Sequence, residues 1–182
     1  MKDAIGGVEL SSMAKGFETT DAMLKAAAVE ILVARTMCPG KYAVVVAGEV
    51  ADVQAAVEAG VAKAAEAHID HFVIPHLHPS IFPAISGVAV TGKLEALGIV
   101  ETFSVASLIE AADAAAKSAS VRLVEIRLAM ALGGKAFVSF TGSIADCETA
   151  ASVAAERAGL RGLLVQRVVI PQPRPELLTE LV

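Results

Sequence analysis

Asp21-Ala22-Met23-Leu24-Lys25 and Asp113-Ala114-Ala115-Ala116-Lys117 are the same pattern, Asp-Ala-x-x-Lys, met twice at an offset of 92 residues. The correspondence spreads outward from this pair. At the same offset Gly6 falls on Gly98, Val8-Glu9 on Val100-Glu101, Ser12 on Ser104, Glu18 on Glu110 and Arg35 on Arg127. The second copy then gains two residues, so Lys41 meets Lys135, Gly48 meets Gly142 and Ala51-Asp52 meets Ala145-Asp146 at offset 94. A further shift brings Ile74-Pro75 onto Ile170-Pro171 and Pro79 onto Pro175 at offset 96. The chain is a tandem of one unit of roughly 85–90 residues.

Each unit reads β-α-β-β-α-β. In the first, 5–10 is a strand and 15–28 a helix, with Glu18 and Asp21 ahead of Lys25 as the helix dipole favours. β-Branched runs at 29–36 and 42–47 flank a Cys-Pro-Gly turn. Val53, Ala56, Val57, Gly60, Val61 and Ala64 mark the buried stripe of a second helix, and 70–75 closes the sheet. The second copy has its own stripe, Cys147, Ala150, Ala151, Ala154, Ala155 and Ala158. The fold class expected is α+β, two tandem ferredoxin-like units with helices on one sheet face and the other face and the edges free for neighbours. The first domain is assigned to 1–86, the linker to 87–95 and the second domain to 96–182.

Composition narrows the function. Hydrophobic residues make up 55% of the 182 positions, but charges interrupt every run before a membrane span is reached. The opening Met1-Lys2-Asp3-Ala4-Ile5 does not read as a signal peptide, so the protein is expected in the cytosol. A net charge of -5 and the lack of a basic stripe exclude a nucleic-acid footprint. An apolar chain with few charges points to subunit contacts, and two fused halves of a ring of six would close as three chains.

Two cysteines do not make a disulfide framework in that setting. Cys147 aligns with Val53 on a helix stripe and reads as a small buried hydrophobe. Cys38 stands in the turn Met37-Cys38-Pro39-Gly40-Lys41, where the copies differ in length. From the residues alone it is either a free thiol in an exposed loop or a metal ligand. His68, His71, His76 and His78 are close in sequence, and His76-x-His78 would share a strand face. Turn or edge histidines are the simpler reading, since no acid-rich set or helical His-x-x-x-His accompanies them. Glu9 with Glu101, and Asp52 with Asp146, repeat singly and read as structural carboxylates. Phosphate loops and nucleophile motifs are absent, so no enzyme is expected.

The Asp-Ala-x-x-Lys segments, Gly40-Lys41 leading to Gly48-Glu49-Val50-Ala51-Asp52-Val53, and the terminal Ile-Pro segments resemble bacterial microcompartment (BMC) shell proteins. The tandem form resembles their trimeric double-domain class. Cys38-Pro39-Gly40-Lys41, with Gly133-Gly134-Lys135 at the matching turn, resembles the propanediol-utilisation type that carries an iron–sulfur cluster. The resemblance implies a homotrimer of pseudohexameric shape that packs edge to edge with other shell proteins around enzymes, located in the shell inside the cytoplasm. Met37, Pro39, Gly40, Gly133 and Gly134 would line a central pore in turns spanning 37–41 and 130–135, and Lys25 and Lys117 would lie at tile edges. Pro75-His76-Leu77-His78 and Pro171-Gln172-Pro173-Arg174 stand where single-domain relatives often have Pro-Arg-Pro-His.

The cofactor implied is one [4Fe–4S] cluster per trimer, bound by three copies of Cys38 and an unknown fourth ligand, since such clusters take four ligands and one chain offers one thiolate there. Its role would be electron transfer or cluster delivery across the shell, with an encapsulated redox enzyme as partner. The alternatives are a tile with an open metabolite pore and no cluster, and a small-molecule-binding trimer.

Overall fold

The computed structural model describes residues 3–87, 94–128, 133–174 and 176–177. Residues 88–93 of the expected linker therefore lie outside the described residues, as do Met130 and the two residues after it in the second turn. The chain forms two compact units, Met1–Leu77 and His78–Val182.

The first unit runs β1 (Ala4–Leu10), α1 (Met13–Ala26), β2 (Glu30–Met37), β3 (Lys41–Gly48), α2 (Val50–Ala64), a 3-10 turn over Ala65–Ala67 and β4 (His68–Ile74). The strands make one antiparallel sheet in the order β2-β3-β1-β4. Ser12 opens α1, its side chain accepting the Lys15 N–H at 3.3 Å. α2 lies directly on β1 because Gly6 has no side chain; a Cβ there would stand 2.6 Å from a Val57 methyl. Gly60 does the same from the helix side, where a Cβ would stand 2.8 Å from the Met23 side chain. Val53, Ala56, Val57 and Ala64 are buried as their periodicity requires, in one cluster with Val8, Met23, Tyr42, Val44 and Val46.

Glu18 fastens the two helices. It accepts from Lys15 at 2.8 Å on its own helix and pairs with Lys63 of α2 at 2.7 Å. The Lys15 hydrogen bond first, and that of Lys63 second, hold its carboxyl at about 2 instead of 4.5. A depressed pKa stabilises above the ordinary value, so this clamp weakens only as pH falls from 4.5 through about 2.

The second unit begins with α3 (Ile81–Ile85), then β5 (Ala96–Thr102), α4 (Val105–Ser118), β6 (Arg122–Arg127), β7 (Ala136–Gly142), α5 (Ile144–Gly159) and β8 (Leu164–Pro171). Its sheet order, β6-β7-β5-β8, repeats the first. Ser104 caps α4 and Ser143 caps α5. Glu110, aligned with Glu18, ties α4 to α5 through Arg157 at 3.0 Å and Arg161 at 3.3 Å. The whole stripe Cys147, Ala150, Ala151, Ala154, Ala155 and Ala158 is buried. α3, not anticipated from the sequence, packs on β6 and α4.

One expectation is corrected. The second sheet face is not free along the inner strands: every residue of β1 is buried, on both faces. In the second unit Leu97, Leu94 and Val124, with Ile99 and Ile170, form a separate cluster on the face turned away from the helices. Leu97 and Ile99 alternate with Gly98, which faces them, so the strand is apolar on both sides.

Gly16 tests the tightness of this layer. Alanine for glycine inside an exposed helix stabilises by about 1 kcal/mol. Here a Cβ would overlap Cβ and Cγ of Tyr42, the immobile root of a buried ring. Gly16→Ala is expected to reverse the sign and destabilise by about 1–3 kcal/mol, read as a lower urea midpoint; an unchanged or higher midpoint would show that the ring yields.

Candidate functional site

Strands β2 and β3 form a hairpin in which Met37 pairs with Lys41, so its turn is the three residues Cys38-Pro39-Gly40. A three-residue hairpin needs one left-handed position, and Gly40 supplies it at φ +73. The Cys38–Pro39 peptide is cis. The roots of the hairpin are buried at Met37 and Tyr42, and the Tyr42 ring packs on Phe17 with centroids 5.3 Å apart. Cys38 therefore stands at the tip of a well-anchored loop, free and half-buried. Beyond it a Cβ on Gly40 would meet nothing within 4 Å.

A lysine braces each turn. Lys41 Nζ lies 2.9 Å from Oε1 of Glu9, whose side chain is 3% exposed. In the second unit Lys135 reaches Glu101 at 2.8 Å, but that carboxylate is 30% exposed. The repeated glutamates thus carry the structural role expected of them. Gly133 and Gly134 of the second turn are both left-handed, at φ +60 and +86. Beside that turn Arg127 lies 5.4 Å over the Phe137 ring.

Cys147 is fully buried, and burial is the first cause raising its thiol pKa. A buried, neutral thiol is a poor ligand and a poor nucleophile. The histidines separate into different settings. His68 Nε2 and His71 Nδ1 lie 3.1 Å apart, and burial, then the neighbouring His71, pushes His68 down. His76 is not on a strand, contrary to expectation: β4 ends at Ile74, and His76 sits in a left-handed bend 3.7 Å from Asp3. His78 bonds Ser80 in the second unit. The strand-face geometry failed because the Pro75 segment turns the chain away. Among the described residues no group of three or more His, Cys, Asp or Glu can hold a metal ion, and no helix is long and apolar enough to cross a membrane.

Lys25 and Lys117 occupy equivalent places, each 2.5 Å from the aspartate one turn before it, Asp21 and Asp113. Sequence reading missed a second role of Asp113, which also accepts the His78 N–H at 2.8 Å. Its repetition with Asp21 was the available signal.

Comparison with known proteins agrees with this architecture. The BMC domain model matches residues 4–77 and again 96–173. The chain is 46% identical over 182 residues to the bacterial microcompartment shell protein PduT of Citrobacter freundii, covering 100% of this chain and 99% of that one. A crystal structure of a microcompartment protein from Desulfitobacterium hafniense is 49% identical, covers 97% of this chain and 98% of its own, and superposes with a TM-score of 0.90. A fused permuted hexameric shell protein, at 21% identity over 86% of this chain and 83% of that one, shares the fold with a TM-score of 0.63.

The two lysine braces differ in burial, and their substitutions should differ accordingly. Lys41→Ala removes a cation from a carboxylate almost wholly withdrawn from water and is expected to cost about 2–3 kcal/mol. Lys135→Ala, at a wetter pair, is expected to cost about 1 kcal/mol or less. Chemical denaturation of the two variants checks the order; equal losses would refute the role of burial.

Proposed function

The chain belongs to the BMC-domain family of microcompartment shell proteins, and from that premise we propose that three copies close into a pseudohexameric tile whose axis holds a [4Fe–4S] cluster on three Cys38 thiolates. The tile role belongs to the family: the protein is a structural shell subunit that associates with other shell proteins, not an enzyme. The trimer, the cluster and its traffic are the proposal.

The observation that carries it is the placement of Cys38 in a hairpin turn whose roots are buried and which has open space at Gly40, while the other cysteine is sealed in a core. The donor chemistry fits. Thiolate is the ligand type such clusters take, and four ligands are needed. One chain supplies one at this turn, with no group of three candidate ligands among its described residues, so the remainder has to come from symmetry. Three chains supply three; the fourth position is left to water, a small ligand or a group from a partner. The chemistry such a group supplies when bound is one-electron transfer.

This chain's own residues hold the thiolate still. Buried Met37 and Tyr42 fix the roots of the loop, and Glu9 restrains Lys41 beside it. Gly40 leaves its N–H unscreened by a side chain, suited to a negatively charged centre. A tile so equipped passes electrons across the shell, or hands the cluster to an enzyme inside.

Iron and acid-labile sulfide, measured on the anaerobically purified protein, test the reading. About four irons per three chains are expected, with visible absorbance. Cys38→Ser should abolish both and leave the trimer intact, because Cys38 stands in the turn and is not part of the buried core cluster of its unit. A colourless trimer after anaerobic reconstitution with iron and sulfide would refute the cluster and leave a tile with an open metabolite pore.

A further inference from the structure

The two repeats leave their sheets in the same way. After β4 the chain turns through His76 at φ +51, and the Ile81 N–H donates to the His78 carbonyl at 3.0 Å. α3 follows, with Ile81 fully buried as the helix packs on β6 and α4. At its entry the His78 N–H meets Oδ1 of Asp113 at 2.8 Å, while Oδ2 of the same carboxylate holds Lys117. The tail is thus pinned by one aspartate and sealed by apolar side chains.

After β8 the turn recurs. Gln172 sits at φ +47, and the Leu177 N–H donates to the Arg174 carbonyl at 3.0 Å. At the offset of 96, His78 corresponds to Arg174, and Ile81, Phe82 and Ile85 correspond to Leu177, Leu178 and Leu181. The second tail therefore has the launching geometry and the apolar positions of the first.

Its landing surface exists too, in the other repeat. The counterpart of β6 and α4 is β2 and α1. There Met13, Phe17, Leu24 and Ile31 are 49%, 67%, 41% and 44% exposed, whereas their equivalents Val105, Ile109, Ala116 and Leu123 are all buried. Asp21 bonds Lys25 as Asp113 bonds Lys117, but its side chain is 60% exposed against 8%. An apolar stripe on one helix face beside a carboxylate in the geometry that already captures a chain N–H is a formed receptor.

We propose that the segment beginning at Arg174 of one copy docks on α1 and β2 of a second copy, with Asp21 Oδ1 accepting the Arg174 N–H and Leu177 covering Phe17. The proposal rests on the trimer reading and assigns that assembly an exchanged tail. Asp21 is then a partner-positioning residue, and the aspartate of each Asp-Ala-x-x-Lys pattern does the same task, once within the chain and once between chains.

Sedimentation of the full-length protein over a dilution series tests it, with Asp21→Ala, Leu177→Asp and the double variant beside wild type. A hydrogen bond to a charged group contributes enough that each single change should raise the concentration at which trimers dissociate by roughly tenfold or more. The double variant should lose less than the sum of the two, since both act on one contact. Asp113→Ala, in contrast, should lower the unfolding midpoint of the subunit. Far-UV circular dichroism of the Asp21 and Leu177 variants should match wild type, which separates lost association from lost fold. A trimer indifferent to both changes would overturn the docking and leave the trimer reading standing. A destabilisation independent of concentration would mean that the tail closes on its own α1, and would overturn the exchange. A wild-type chain that sediments as a monomer would remove the trimer reading and the docking together.

Discussion

Small residues between helix and sheet are the constraint on which the rest of this protein depends. Gly6 on β1 and Gly60 on α2 let helix, sheet and the Met23 side chain approach more closely than any Cβ at those positions would allow. The alanine-rich stripe of α5 does the same in the second unit. Close contact of this kind replaces the thick aromatic core that the chain lacks, with no tryptophan and one tyrosine. It also makes each unit a thin plate, in which a hairpin turn is only one residue away from buried anchors.

The anchoring is what gives the Cys38 turn its meaning. A thiol on a loose loop would have no defined partner, but Met37 and Tyr42 are held in the core and Lys41 is tied to a buried carboxylate. Duplication then lets the two turns diverge on one scaffold. The first carries Cys-Pro-Gly and the second Gly-Gly, above the same lysine–glutamate brace. Divergence in burial accompanies divergence in sequence, since Glu9 is sealed and Glu101 is not.

The same duplication sorts the acidic residues. Glu18 and Glu110 each bridge the two helices of their unit, although one uses lysines and the other arginines. Asp21 and Asp113 each hold a lysine one turn on, yet only Asp113 also holds the entering chain. Equivalent residues thus differ less in chemistry than in what the surrounding chain brings to them.

Much of this was legible in the residues. The repeat, the strand order β-α-β-β-α-β and both buried helix stripes follow from periodicity, because a helix or strand one face deep in a core has to place its apolar residues at a fixed spacing. Cys147 was readable as core for the same reason, through its alignment with Val53. The tail was not readable: nothing local in Ile81–Ile85 says that it packs on β6 and α4. Nor did alternation reveal that Leu97 and Ile99 bury the second face of β5, or that the bend at His76 separates it from His78. By itself the sequence determined the four strands and two long helices of each unit and the turn in which Cys38 stands, which are set by interactions a few residues apart, together with their duplication. Only the tertiary structure decided which carboxylates meet which cations, which faces are sealed and where the first tail lands, because those contacts join residues far apart in the chain, and their geometry follows from how helices and strands pack within each unit.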